Sequence, residues 1–198
     1  MNQIVLATKN KGKIKEMREL LAPMNIEVLS LADFAPVDDA EENGATFAEN
    51  AMIKACYYFA HTGTPCLADD SGLEVDALDG RPGVYSARYS GEDATDKTNN
   101  AKVLCEMEGV ELEKRTARFR CAMALVGDNI ELTTDGTCEG LLLTEERGDG
   151  GFGYDPLFYV AKFDRTLAEM SSEEKNAISH RGAAVRKMAE LIAEMMSK

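Results

Sequence analysis

Between residues 116 and 134 the chain reads as two strands and the turn joining them, and this stretch constrains the fold more than any other. Phe119, Cys121, Met123 and Leu125 recur with period two, the spacing that lays one face of a strand on a core. Gly127-Asp128-Asn129 interrupts with turn residues before residues 130–134 resume the pattern, which predicts an antiparallel hairpin. Its surroundings carry the other period. Ile14, Met17, Leu20 and Leu21 share one helical face, and Thr46-x-x-Glu49 is a capping box that opens a helix reaching about Phe59. Residues 179–196 predict a closing helix with Ala184, Met188, Leu191, Ile192 and Met195 facing inward. Short apolar strands are expected at residues 4–7, 27–31 and 65–68, and the segment 154–159 ends in another apolar run. Helices alternating with strands around an antiparallel hairpin give an α/β class with a mixed central β-sheet flanked by helices.

The 198 residues show no repeat, low-complexity tract or linker, so residues 1–198 are expected to form a single domain. A formal net charge of −13 argues against a nucleic-acid partner, which needs a basic face to neutralise phosphates. It leaves small phosphate ligands open, because these respond to local charge. No apolar run approaches the roughly 20 residues that span a membrane, so no membrane partner is expected. The start of the chain is too short for a secretory signal before Lys9, and the five cysteines lack metal-site spacing. Together these predict a cytoplasmic protein with reduced thiols.

Five segments have the composition of a reactive site. In Cys66-Leu67-Ala68-Asp69-Asp70-Ser71-Gly72-Leu73 an apolar run is expected to stop at two adjacent carboxylates. Mg²⁺ takes oxygen ligands and commonly one or two carboxylates, so the acids suit a divalent cation; a polar cap on the strand end suits them equally. Thr8, Lys9, Asn10, Lys11, Gly12 and Lys13 lie at a strand-to-helix junction, where free N–H groups and the helix dipole attract anions. Lys13 in a first helical turn is unfavourable unless an anion stands beside it. Glu41 and Glu42 precede the capped helix, on which Lys54 shares a face with Phe47, Ala51 and Tyr58; it either snorkels or points at phosphate. Gly148-Asp149-Gly150-Gly151-Phe152-Gly153-Tyr154-Asp155-Pro156 is a glycine-rich loop whose aromatic faces suit a planar base. Finally, Ser179 precedes His180 and Arg181, two basic groups against the dipole preference of a helix start.

In register, these segments resemble the inosine triphosphate pyrophosphatase family, also called the Ham1 family. The likeness rests on Thr8-x-Asn10-x-x-Lys13, Glu42-x-Gly44-x-Thr46-Phe47-x-Glu49-Asn50-Ala51, Ala68-Asp69-Asp70-Ser71-Gly72-Leu73, Gly80-x-Pro82-Gly83-Val84-Tyr85-Ser86-Ala87-Arg88, Gly151-Phe152-Gly153-Tyr154-Asp155-Pro156 and Ser179-His180-Arg181. The resemblance implies an elongated α/β fold with two lobes around a cleft, and a homodimer. It implies Mg²⁺-dependent hydrolysis of a nucleoside triphosphate, with ITP, dITP and XTP preferred, to the monophosphate and pyrophosphate, which cleanses the nucleotide pool. Under it Asp70 and Lys54 are catalytic, with Asp70 on the metal and activating water. Glu42 or its neighbour Glu41 is a further metal ligand, and Asp69 supports. Thr8, Lys9, Asn10, Lys11, Gly12, Lys13 and Ser71 bind phosphate. Phe152, Gly153, Tyr154 and Asp155, with Lys175, His180 and Arg181, form the base pocket, and a donor such as Arg181 reads the purine 6-oxo group.

Overall fold

The computed structural model describes residues 2–197. In chain order the main elements are β1 (Gln3–Leu6), α1 (Lys11–Leu21), β2 (Glu27–Ser30), α2 (Phe47–Thr62), β3 (Cys66–Val75), α3 (Asp96–Glu106), β4 (Thr116–Gly127), β5 (Ile130–Leu142), β6 (Phe158–Val160), β7 (Arg165–Thr166), α4 (Ser172–Ile178) and α5 (His180–Met196). The sheet is seven-stranded in the order β2-β1-β3-β4-β5-β6-β7. β1 runs parallel to β2 and β3, whereas β5, β6 and β7 pair antiparallel, so the sheet is mixed as the two periodicities predict. β4 and β5 are joined through Asp128 and Asn129, with Asn129 in the left-handed region (φ 55°) that a tight turn requires.

The chain divides into two compact units, one of residues 1–70, 121–136 and 180–198, the other of residues 71–120 and 137–179. The sequence reads as one domain because no linker marks this division: the backbone crosses it inside β3, β4 and β5 and once more at the short junction of α4 and α5.

The first unit has its own core. Ile4 and Leu6 of β1, Leu67 of β3, and Cys121, Met123 and Leu125 of β4 pack against Met17 and Leu21 of α1 and Ala184, Val185, Met188 and Ile192 of α5. α1 begins where Asn10 Oδ1 accepts the Lys13 N–H at 3.1 Å. α2 begins at the predicted Thr46–Glu49 capping box and runs three residues past Phe59. Gly136 lets α5 sit close: a Cβ there would collide with the His180 carbonyl oxygen. The second unit packs Leu73, Val75, Leu78, Val103, Met107, Ala117, Phe119, Leu142, Tyr154 and Phe158 into a separate core. The buried Arg115 staples it by donating to the carbonyls of Met107, Leu142 and Leu143 at 2.7 to 3.0 Å.

One expectation is corrected by β3. The strand does not stop at the paired acids but continues through Asp69 and Asp70 to Val75. Aspartate is a poor strand former, yet each carboxylate here has cationic partners, and that electrostatic gain outweighs propensity.

Candidate active site

Successive residues of a strand point to opposite faces, and β3 uses this to separate its two acids. Leu67 lies in the core beneath α1 and α5, and Asp69, two residues on, reaches the same helices. Its Oδ2 meets Lys13 Nζ of α1 at 3.0 Å and Arg181 Nη2 of α5 at 3.1 Å. Arg181 Nη1 in turn holds Glu16 of α1 at 2.5 Å. The group is almost completely enclosed. Burial pushes the Asp69 carboxyl up, but the charges of Lys13, Arg181 and Lys54 overrule it and hold the group well below the usual carboxylate range. Asp69 Oδ1 is buried and has no hydrogen-bond partner among the described residues.

This cluster resolves the two dipole conflicts seen in the sequence. Lys13 and Arg181 stand in the first turns of α1 and α5, where a cation is unfavourable, and Asp69 supplies the anion for both. It also revises the reading of Arg181 as the donor to the base. The guanidinium is buried and occupied by two carboxylates, because a desolvated charge must be paired. Glu16, the first acid after the lysine run, belongs to the site and was missed; its i, i+3 spacing from Lys13 was the available signal.

Asp70 faces α2. Asn50 Nδ2 donates to its Oδ2 at 3.1 Å, and Lys54 Nζ lies 3.5 Å from its Oδ1 and 2.7 Å from Glu42. Asn50 Oδ1 also accepts the Gly44 N–H at 2.8 Å, tying the loop that carries Glu42 to the strand that carries Asp70. Lys54 is thus a buried bridge rather than a snorkelling surface lysine. Burial pulls its ammonium down, but Asp70, Asp69 and Glu42 raise it, so it stays charged. For Asp70 burial is the largest effect and wins against Lys54, leaving its carboxyl raised above the ordinary value. Glu41 is exposed, so Glu42 is the acid that meets this group. Asn50 was not assigned a site role from sequence, although it shares the helical face of Phe47 and Lys54 at i, i+3 and i, i+4 spacing.

The remaining lysines of the first segment are peripheral. Lys9 pairs with Asp39 at 2.6 Å at the surface, and Lys11 is exposed. Thr8 Oγ1 accepts the Asn10 N–H at 3.2 Å and shapes the turn. His180 is buried beside Arg181 at the start of α5.

The glycine-rich loop lies in the second unit, where Phe152, Asp155 and Lys175 meet. Asp155 Oδ2 accepts the Phe152 N–H at 2.9 Å and takes Lys175 Nζ at 2.6 Å, while that ammonium stands 4.6 Å from the centroid of the Phe152 ring. Gly151 has φ +72°, and a Cβ there would run into the Asp155 carboxylate. Tyr154 is buried and its hydroxyl donates to the Ser86 carbonyl at 2.7 Å. Ser71 follows Asp70 along β3 and belongs to this second unit, whereas His180 and Arg181 belong to the first.

Among the described residues no three His, Cys, Asp or Glu side chains form a complete cage. Glu42 and Asp70 nonetheless share Lys54, and hard carboxylate oxygens are what Mg²⁺ prefers when substrate phosphates supply the rest of its coordination. Around β3 the carboxylates Glu16, Glu42, Asp69 and Asp70 lie among Lys13, Lys54 and Arg181, cations already drawn to these acids, so a polyanionic ligand would gain from a further positive charge. The donor set therefore fits the ion.

Comparison with known proteins gives a concordant result. A chain from Desulforamulus reducens described as a dITP/XTP pyrophosphatase is 53% identical over 191 residues, covering 96% of this chain and 95% of that one. A Bacillus anthracis protein of the same description is 52% identical over 197 residues, covering 98% of both. Among solved structures, a HAM1 protein from Coxiella burnetii superposes with a TM-score of 0.88 at 46% identity, covering 98% of this chain and 100% of that one. The Staphylococcus aureus Ham1 protein has a TM-score of 0.87 at 38% identity, with 98% and 99% covered. The model of the Ham1 family matches residues 4–191, nearly the whole chain including every segment of the site, and the protein belongs to that family.

Proposed function

We propose that this protein is a nucleoside-triphosphate pyrophosphatase that hydrolyses non-canonical purine nucleotides, dITP, XTP and ITP, to the monophosphate and pyrophosphate. Beside the full-length identity to dITP/XTP pyrophosphatases, the observation that carries the reading is the split of Asp69 and Asp70 between two faces of β3. It produces one carboxylate locked in ion pairs and a second with a raised affinity for protons, held by Asn50 and Lys54. That difference assigns distinct roles to neighbouring acids.

Cleavage between the α- and β-phosphates needs an attacking water, a base to take its proton, and positive charge on the leaving pyrophosphate. Asp70 is the base: its carboxyl is raised and its direction is set by Asn50. Lys54, permanently charged, moves from its carboxylates towards the phosphates as charge develops on them. Lys13 and the N-terminal end of α1 bind the phosphate chain; Arg181, itself held by Glu16, pairs with Asp69, and Asp69 orients Lys13. Glu42 and Asp70 would hold Mg²⁺, which when bound would neutralise charge at the phosphate oxygens. The purine stacks on Phe152, and the Lys175 ammonium beside that ring offers donors to a 6-oxo group. An adenine amino group presents donors to that same ammonium, leaves it poorly paired and is rejected, by roughly 10- to 100-fold in rate for one unpaired buried group.

The working form is a homodimer, as the family resemblance implies; light scattering at micromolar concentration should give twice the chain mass. Its place of work is the cytoplasm, where nucleotide pools lie and where five free thiols persist. The reading is tested by incubating the protein with Mg²⁺ and dITP, XTP, ITP, dUTP or ATP and identifying the products. Pyrophosphate with the monophosphate, formed fastest from the 6-oxopurines, is expected. Orthophosphate release, or equal turnover of ATP and ITP, overturns it.

A further inference from the structure

Helix α3 carries no residue of the segments that define the family likeness, which stop at Arg88 and resume at Gly151. Its first two turns nevertheless grip the base loop at a single residue. Asp96 and Asn100 stand i, i+4 on one face of α3. Asp96 Oδ2 accepts the Gly153 N–H at 2.7 Å, and Asn100 Nδ2 donates to the Gly153 carbonyl at 3.3 Å and to Glu146 at 2.8 Å. Both hydrogen-bonding groups of one peptide residue are thus occupied by one helix face.

The orientation of Asn100 is dictated by this grip. The side chain is 3% exposed, and its Oδ1 has no hydrogen-bond partner among the described residues. Turned over, the amide would set that oxygen against the Gly153 carbonyl and the Glu146 carboxylate, two acceptors, so only the observed orientation pairs them. The loop contacts decide the conformation, and the amide's own oxygen goes unpaired for it. Asn99, the neighbouring buried amide, anchors the helix itself by bonding the Ser86 and Ala87 carbonyls and the Ser90 N–H.

The grip lies one residue after the aromatic ring proposed to stack on the purine. Phe152 is held on its own N–H by Asp155 and through the following residue by α3, so its backbone is fixed from both sides. A ring rigidly placed under Lys175 discriminates between bases; a loose one accepts any flat heterocycle.

We propose that Asp96 and Asn100 are positioning residues for base selection, a clamp that sets the Phe152 ring without touching the reacting phosphates. This rests on the assignment of Phe152 and Lys175 to the base pocket. The test measures kcat and KM for dITP and dATP in the wild type, Asp96→Ala, Asp96→Asn and Asn100→Ala, each first checked by thermal melting. Asp96→Ala is exposed and should fold normally; its KM for dITP should rise about fivefold, the loss of one hydrogen bond, with kcat within twofold. Selectivity for dITP over dATP should fall by a similar factor. Asp96→Asn keeps an acceptor for the Gly153 N–H and should restore both values. Asn100→Ala should shift the same two quantities in the same direction. Unchanged KM and selectivity in a folded, active Asp96→Ala, or a fall in kcat alone, overturns the clamp. A wild type that releases no pyrophosphate from dITP fails differently, removing the nucleotide reading and the purpose of the clamp with it.

Discussion

Asp69 Oδ2 takes Arg181 Nη2 at 3.1 Å on one face of β3, and Asp70, one residue on, takes Asn50 Nδ2 at 3.1 Å on the other. The two neighbours should therefore fail in opposite ways. Asp69→Asn leaves the buried Arg181 and the partly exposed Lys13 without their shared anion, and removing one partner of a buried ion pair such as Asp69–Arg181 costs about 3–5 kcal/mol. Urea denaturation should show that loss. Asp70→Asn should stay within roughly 1 kcal/mol of the wild type, because Lys54 keeps Glu42, while kcat drops on the order of 10²- to 10⁴-fold with the proposed base gone. A stable Asp69→Asn, or a fully active Asp70→Asn, would contradict this division.

Lys54 of α2 sits between Glu42 of the preceding loop and Asp70 of β3, two carboxylates that otherwise repel each other. Lys54→Met preserves much of its volume and removes the charge. Steady-state assays should show kcat/KM for dITP reduced at least about 100-fold, the scale of a lost charge contact to a transferring phosphate. Near-normal turnover would show that the triphosphate does not use this ammonium.

Chelation should separate chemistry from folding. Among the described residues the carboxylates already have cationic partners within the protein, so EDTA should leave the melting temperature within a degree or so of the untreated protein. Turnover should stop and return on adding Mg²⁺. Unfolding on chelation would mean that the ion is structural.

Gly151→Ala should injure base binding. The substitution is strained at φ +72° and drives a Cβ into the Asp155 carboxylate, displacing the group that holds both Phe152 and Lys175. KM for dITP should rise by about tenfold or more, with kcat affected less. An unchanged KM would remove this loop from the base pocket.

Thiol chemistry offers an independent check on the two cores. All five cysteines are free; Cys56 and Cys105 are exposed, and Cys66, Cys121 and Cys138 are buried. Burial, and for Cys121 also the Asp69 carboxylate, pushes the Cys121 thiol up to about 12 and that of Cys138 up to about 11. A thiol reagent at pH 8 should modify Cys56 and Cys105 quickly, and the other three only after denaturant is added. Rapid native modification of Cys121 would show that the Asp69 cluster is open to solvent.

How much of this was legible beforehand follows from the range of each interaction. The hairpin turn, the α2 capping box and most of the inward face of α5 depend on neighbours a few residues apart and stand where periodicity and capping chemistry put them; Ala184, Met188 and Ile192 are buried as expected, while Leu191 and Met195 are only partly buried. The end of β3 was misjudged because its stability comes from Lys13, Lys54 and Arg181, residues up to 112 positions distant. For the same reason local charge identified Lys13 and Arg181 as basic groups needing an anion but did not reveal that the protein carries one itself, at Asp69. Asn50 stands in a motif of the family likeness with no role attached to it, Glu16 reads as an ordinary polar residue on a helix, and the grip of α3 on Gly153 spans 53 to 57 positions. The two-unit division was invisible because it falls within strands rather than at a composition change.

In the proposed reaction, water prepared by Asp70 attacks the α-phosphate. Turnover of dITP in ¹⁸O-labelled water, followed by mass spectrometry of both products, tests it most directly. One labelled oxygen in the monophosphate and none in pyrophosphate is the predicted result; label in pyrophosphate would place the attack on the β-phosphate and contradict the account.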